Sequence, residues 1–169
     1  GISLDGNSRA DIGLFMNVTK VSLFKDFQIR EVNLSGVLLD QDNYYTEIHD
    51  FVLQDQNNKS TGITNNDNEV SFYNIRVTNS VGFNLTGGNQ IAIYSARMDG
   101  ANTTTGIMIN GSNGLLIAGT RIETASSAGG PRTCINISLG SQEIVMIGGL
   151  LSGCSLQIND QSNGEFNAF

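Results

Sequence analysis

The sequence predicts an all-β solenoid: a right-handed, single-stranded parallel β-helix of about seven rungs, each built from three short strands. Three observations predict it. An apolar alternation recurs with a period of roughly twenty-odd residues. One fixed position within each copy is always Asp, Asn, Ser or Gly. The composition is rich in Asn and in Gly (20 of 169 residues), with 1 Pro and 7% aromatics, which suits many tight turns around a narrow core.

The repeat is clearest at Val70-Ser71-Phe72-Tyr73-Asn74-Ile75-Arg76-Val77, where apolar residues fall at 70, 72, 75 and 77. The same spacing appears in Ile91–Met98, Leu115–Ile122 and Ile144–Leu151, and upstream in Ser22–Ile29 and Thr46–Leu53. Each copy reads as two short strands that alternate in and out, joined by a bend. The second bend residue is Asp26, Asp50, Asn74, Ser95, Gly119 and Gly148 in turn. A corner that leaves both flanking strands facing inward needs a left-handed residue, and Gly, Asn and Asp tolerate that region best.

A third strand precedes each copy. It opens at Gly13, Gly36, Gly62, Gly82, Gly106 and Cys134, and again near Ser155-Leu156-Gln157-Ile158. Polar turns such as Thr86-Gly87-Gly88-Asn89 and Asn110-Gly111-Ser112-Asn113 separate it from the next strand. A β-sandwich of short strands is the competing fold, but it does not explain the recurrence of the corner residue at one offset. Ile2-Ser3-Leu4-Asp5-Gly6 reads as the last strand of an earlier rung, and Phe166 as the start of a later one. Residues 1–169 are thus expected to form one β-helix domain that stops in mid-rung at both ends. Open strand edges need a cap, so the expectation is a segment of a larger protein or assembly.

The net charge of −7 argues against a nucleic-acid-binding surface. No apolar run approaches the length of a membrane span. Gly1-Ile2-Ser3-Leu4-Asp5 lacks the basic and apolar regions of a signal peptide. Cys134 and Cys154 are too few for a Cys-rich metal site. Both are placed at the start of equivalent strands in successive rungs. Free thiols packed as small apolar groups are the expected state, with a disulfide as the alternative.

The segment from Gly106 to Ile122 resembles the repeat of the pectin-lyase-like parallel β-helix superfamily, and Ile2-Ser3-Leu4-Asp5-Gly6-Asn7 is similar to a stretch common early in those folds. The resemblance spans essentially the whole chain. It implies polysaccharide as the ligand class, since the superfamily holds lyases, hydrolases, epimerases and phage tailspikes. The Asn- and Gly-rich, Pro-poor composition looks most like the tailspike and tail-fibre members. These imply a homotrimer on a virion tail, or alternatively a secreted protein, that contacts bacterial surface polysaccharide and needs no cofactor.

Stacked rungs turn equivalent positions into columns. One outward column holds Lys25, His49, Tyr73 and Tyr94; another holds Arg76, Arg97 and Arg121; a third holds Thr78, Asp99 and Glu123. Tyr73, Tyr94, Arg76, Arg97 and Arg121 are the candidate glycan-binding residues, offering aromatic surface for sugar rings and charged donors for hydroxyls. The plain alternative is a solvated charge ladder of little energetic worth. Asp99 and Glu123 are the candidate catalytic carboxylates, about one interstrand spacing apart, as a retaining glycosidase pair requires. An arginine beside each favours the ionised carboxylate, which suits a nucleophile and disfavours a general acid. A lyase or glycoside hydrolase is therefore the alternative to a binding or purely structural role.

His49, flanked by Glu47 and Asp50, reads as a surface residue, with a general base as the sharper alternative. The Asp-rich turns Asp40-Gln41-Asp42-Asn43 and Asp55-Gln56-Asn57-Asn58 read as solvated loops rather than calcium sites. Phe15, Leu38 and Met108, with Leu23, Leu116 and Val145, are expected to face outward and to form a subunit contact. The long turn from Glu123 to Arg132 is a candidate cap or contact.

Overall fold

The computed structural model describes residues 1–17, 20–41, 43–54, 60–78, 81–100, 105–124, 133–162 and 168. Asp42, residues 55–58, most of the turn from 124 to 132 and Phe166 lie outside them. The chain is all-β, a parallel β-solenoid of about six turns. Every strand pair among the described residues is parallel, so a sandwich of antiparallel hairpins is ruled out.

One sheet stacks seven strands, from Ile12–Asn17 through Ser35–Asp40, Thr61–Asn65, Val81–Thr86, Thr105–Asn110 and Thr133–Ile137 to Leu156–Asp160. It forms the first face. The second sheet has 11 strands and bends around the corner, so that it supplies a second and a third face. Here the expected three strands per rung is too uniform. Lys20–Arg30 and Tyr44–Gln54 each run through the corner as one 11-residue strand. Later turns break there into pairs such as Val70–Tyr73 and Arg76–Thr78.

The corner is left-handed throughout. Asp26, Asp50, Asn74, Ser95, Gly119 and Gly148 have φ of 59°, 51°, 53°, 54°, 61° and 63°. Asn74 Nδ2 also donates to Asp50 Oδ1 at 2.6 Å, linking two turns along the ridge. A second left-handed column lies five residues upstream, at Val21, Tyr45, Glu69, Gln90, Gly114 and Glu143. The ladder skips this position: Lys20 pairs with Tyr44 and Ser22 with Thr46, leaving Val21 and Tyr45 unpaired. Most of its side chains are poor left-handed residues, and Val21 is β-branched, so its conformation is strained. At Tyr45 the phenol is held above its ordinary pKa by a hydrogen bond to Glu69 and by that carboxylate's charge.

The core is a column of aliphatic and aromatic side chains contributed in register. On the first face Val37, Ile63, Phe83, Ile107 and Ile135 stack, all fully buried. On the second, Ile48, Phe72, Ile93 and Ile117 do the same. Each such side chain contributes roughly 1.5–3 kcal/mol of transfer free energy. Glycine is the second residue of the first-face strands up to Thr105–Asn110 because the neighbouring face fills the space: a Cβ on Gly106 would lie 2.6 Å from Ile122 Cγ2.

The last turn departs from this rule, and the expectation of free thiols fails with it. Cys134 takes the Gly106 position, since Ile107 pairs with Ile135. Its side chain occupies the space that a third-face residue fills lower down, and Leu151, the counterpart of Ile122, is only half-buried. Cys134 is disulfide-bonded to Cys154, with the Cα atoms 5.6 Å apart. The two are not equivalent positions. Ile135 pairs with Ile158 and Thr133 with Leu156, so Cys154 belongs to the preceding turn segment. Reading Ser155 as the start of the last first-face strand therefore shifts the register by two residues.

Polar side chains also fill the turn between first and second faces. Asn43 is fully buried, and its Nδ2 donates to the carbonyls of Met16 at 3.3 Å and Asp40 at 2.9 Å and to the carboxylate of buried Asp67. Further along the same turn column, Ser141 Oγ accepts from the Gly111 amide at 2.9 Å.

The two left-handed columns and the cross-link set the stability of the solenoid in ways that can be measured. Asn74→Ala should cost about 1–2 kcal/mol in urea unfolding, because alanine tolerates the left-handed region less well than asparagine and cannot make the hydrogen bond to Asp50. Val21→Asn should instead stabilise, by up to about 1 kcal/mol. A loss on Val21→Asn as large as that on Asn74→Ala would refute the strain assigned there. Reducing the disulfide, which closes a loop of sequence separation 20, should lower stability by roughly 3 kcal/mol. Hydrogen exchange should report that loss first in Thr133–Ile137 and Leu156–Asp160.

Candidate functional site

The corner ridge separates two outward ladders. On its second-face side, the residue just before the corner residue forms a column of Lys25, His49, Tyr73, Tyr94, Ala118 and Ile147. Parallel pairing sets the rise between neighbours at about 4.8 Å, which falls inside the range preferred by aromatic pairs. Tyr73 and Tyr94 accordingly stack with ring centroids 4.9 Å apart and planes 11° from parallel. His49 lies beneath Tyr73 with centroids at 4.3 Å. Tyr73 and Tyr94 therefore stand where the sequence expectation put them, but stacking on each other covers their facing surfaces. Only edges, hydroxyls and the upper face of Tyr94 remain open.

His49 is half-buried on the surface, and the carboxylate beside its ring is Glu47 rather than Asp50. Its Nε2 lies 3.0 Å from Glu47 Oε2. Asp50 turns to the ridge and accepts from Asn74. The residues two apart share a strand face and the adjacent residue does not, because side chains alternate.

On the third-face side, Arg76, Arg97 and Arg121 are in register, as are Thr78, Asp99 and Glu123. Arg97 Nε lies 2.7 Å from Asp99 Oδ2, and Arg76 Nη2 reaches the same oxygen at 3.5 Å. Glu123 accepts from Arg121 and lies 4.0 Å from Arg97 Nη2. Each carboxylate thus screens two guanidiniums that parallel stacking would otherwise bring together uncompensated. Arg121 is held above its ordinary pKa by the hydrogen bond it donates to Glu123 and then by that group's charge. Single exposed pairs of this kind contribute about 0.2–1 kcal/mol. The arginines have side-chain exposures of 54%, 48% and 47% against 19% for Asp99 and 33% for Glu123, so donors rather than carboxylates face solvent.

Asp99 and Glu123 are in-register neighbours, close enough for a retaining pair on separation alone. Chemically both are committed as acceptors to arginine, and a proton donor has no place in that arrangement. The geometry presents hydrogen-bonding groups better than it presents an acid.

The outward apolar residues do not form one patch. Phe15 stacks under Leu38, but Thr64 and Asn84 separate both from Met108. Glu47, Ser71 and Ala92 likewise separate Leu23 from Leu116 and Val145. No helix among the described residues is long and apolar enough to cross a membrane. Compared with known proteins, the chain matches no family model, no curated protein and no solved structure.

The Tyr73–Tyr94 stack should be measurable by a double-mutant cycle. Truncating each to Ala, singly and together, should give a coupling of about 0.5–1.5 kcal/mol. Additive losses would show that the rings merely stand side by side.

Proposed function

We propose that this chain is a β-helix element of a bacteriophage tailspike or tail fibre, right-handed and of about seven rungs, that binds a bacterial surface polysaccharide. The observation that carries the reading is the pair of ladders flanking one corner: aromatic edges and hydroxyls on one side, and arginines with outward guanidiniums on the other. A polyhydroxylated chain uses both, the open upper face of Tyr94 for a sugar ring and the hydroxyls and charge-assisted donors for its oxygens. The rigidity of a hydrogen-bonded solenoid supports this role, because a preformed site orders little on binding.

The remaining parts of the proposal have separate support. The Cys134–Cys154 disulfide suits an oxidising, extracellular setting such as a virion tail. Phe15, 53% exposed above the general polarity of the first face and stacked on Leu38, offers a contact for the neighbouring subunits of a homotrimer. Resemblance to the pectin-lyase-like repeat supports polysaccharide as ligand class. The arginine-bound state of Asp99 and Glu123 favours binding over cleavage, so the lyase or hydrolase reading ranks second.

The test is binding to a printed panel of O-antigen and capsular polysaccharides, with light scattering on the same sample. The expected result is a trimer that retains at least one polysaccharide without releasing oligosaccharide. Arg97→Ala and Arg121→Ala should each weaken retention several-fold. A monomer that binds nothing on the panel would overturn the proposal. Release of oligosaccharide, abolished by Asp99→Asn or Glu123→Gln, would establish the enzyme instead.

A further inference from the structure

The aromatic ladder ends abruptly. Above Tyr94 the column continues with Ala118 and then Ile147. A methyl group replaces a ring for one turn, and the aliphatic side chain resumes on the next. Tyr94 and Ile147 are two interstrand spacings apart, about 9.5 Å. Contacts of about 4–4.5 Å on each side leave room for one saturated six-membered ring between them. Ile147 is 60% exposed, an aliphatic side chain with little packed against it. The adjacent outward column is Ala92, Leu116 and Val145, so no charge borders the gap on that face.

The corner beside the gap is bare. Where lower turns carry Asp50 and Asn74, these turns carry Gly119 and Gly148. A Cβ built on Gly148 meets nothing within 4 Å, and one on Gly119 meets only Ser95 Oγ, at 3.8 Å. An extended chain leaving the gap can therefore cross the ridge unobstructed. On the far side it meets Arg121 beyond Gly119, with Leu150 above it and Arg97 below, and the carboxylates paired to the two arginines leave outward N–H groups for hydroxyls.

Resting on the glycan-binding reading, we propose that the Tyr94–Ala118–Ile147 gap is the selective subsite. It seats one neutral sugar bearing an apolar substituent, a 6-deoxyhexose or an N-acetylated hexose, with the glycan running over the Gly119–Gly148 ridge to the arginine ladder. Charge decides the class. The gap has no cation of its own. Across the ridge Arg76, Arg97 and Arg121 against Asp99 and Glu123 leave one net positive charge, set against −7 for the whole chain. A polyanion gains nothing there that offsets the repulsion. A methyl group placed against Ala118 and Ile147 instead buries apolar surface on both sides, and the open face of Tyr94 stacks on the ring.

The fold itself supplies the test variants. Tyrosine already occupies this column twice, so Ala118→Tyr extends the stack and fills the gap. Asparagine already serves as the corner residue at position 74, so Gly119→Asn keeps the left-handed bend and raises a side chain across the path. Both should keep the thermal midpoint of the native chain. The probes are immobilised neutral bacterial oligosaccharides with and without 6-deoxyhexose or N-acetylhexosamine residues, beside uronate-containing ones, with light scattering on every variant. The expected outcome is that the native chain retains the substituted neutral probes. Ala118→Tyr and Tyr94→Ala should weaken retention at least about tenfold, or about 1.4 kcal/mol, and Gly119→Asn should weaken it several-fold.

Retention unchanged in Ala118→Tyr would overturn the subsite while leaving glycan binding elsewhere on the chain intact. So would a preference for the uronate probes. A change of oligomeric mass in Ala118→Tyr, with glycan retention unaltered, would assign the gap to a protein contact and overturn it as well. Failure of the native chain to retain any probe would overturn both the subsite and the reading beneath it.

Discussion

In-register parallel pairing is the constraint from which the rest of this structure follows. Once each turn pairs with the next at a rise of about 4.8 Å, every position becomes a column, and a residue is judged by what lies above and below it. Apolar columns become the core. The left-handed corner must recur, because one turn bending differently would shift the register and send inward side chains outward. The same constraint holds Val21, Tyr45 and Glu143 left-handed against their own preference. Pairing on both flanks of that position leaves them no alternative.

The constraint also makes surface chemistry additive in one direction. Like residues stack, which is favourable for rings and unfavourable for charges. Tyr73, Tyr94 and His49 therefore form a continuous stack. The three arginines are tolerable because Asp99 and Glu123 sit beside them in register, each screening two. Inside the turn between first and second faces, the same logic satisfies Asn43 and Asp67 against each other and against carbonyls of neighbouring turns. A column interrupted is then the informative feature. Ala118 breaks the aromatic stack and Cys134 breaks the glycine column, and the local structure changes at both.

Much of the fold was legible in the sequence. The corner column could be read directly, since five of its six residues are Asp, Asn or Gly, the types that best accept positive φ, and they recur at one offset. The outward ladders could be read too, because alternation assigns faces once the corner is known. The second left-handed column could not be read. Val, Tyr, Glu and Gln carry no conformational signal for that region, and only the ladder's skipped pairing reveals it. The choice between the two carboxylates that flank His49 needed the structure, which puts Glu47 on its strand face and turns Asp50 to the ridge.

The sequence by itself determined the solenoid, its parallel columns and the residues that line them, because period and alternation are properties of the chain read in one dimension. The tertiary structure decided what those columns do to each other. It showed that the tyrosines cover each other's faces, that both candidate carboxylates are occupied by arginine, and that Cys134 meets Cys154 across a turn rather than at an equivalent position. Each depends on distances between side chains on successive turns or neighbouring faces, and a repeat pattern specifies which residues are neighbours without specifying how their groups are oriented or which bonds they form.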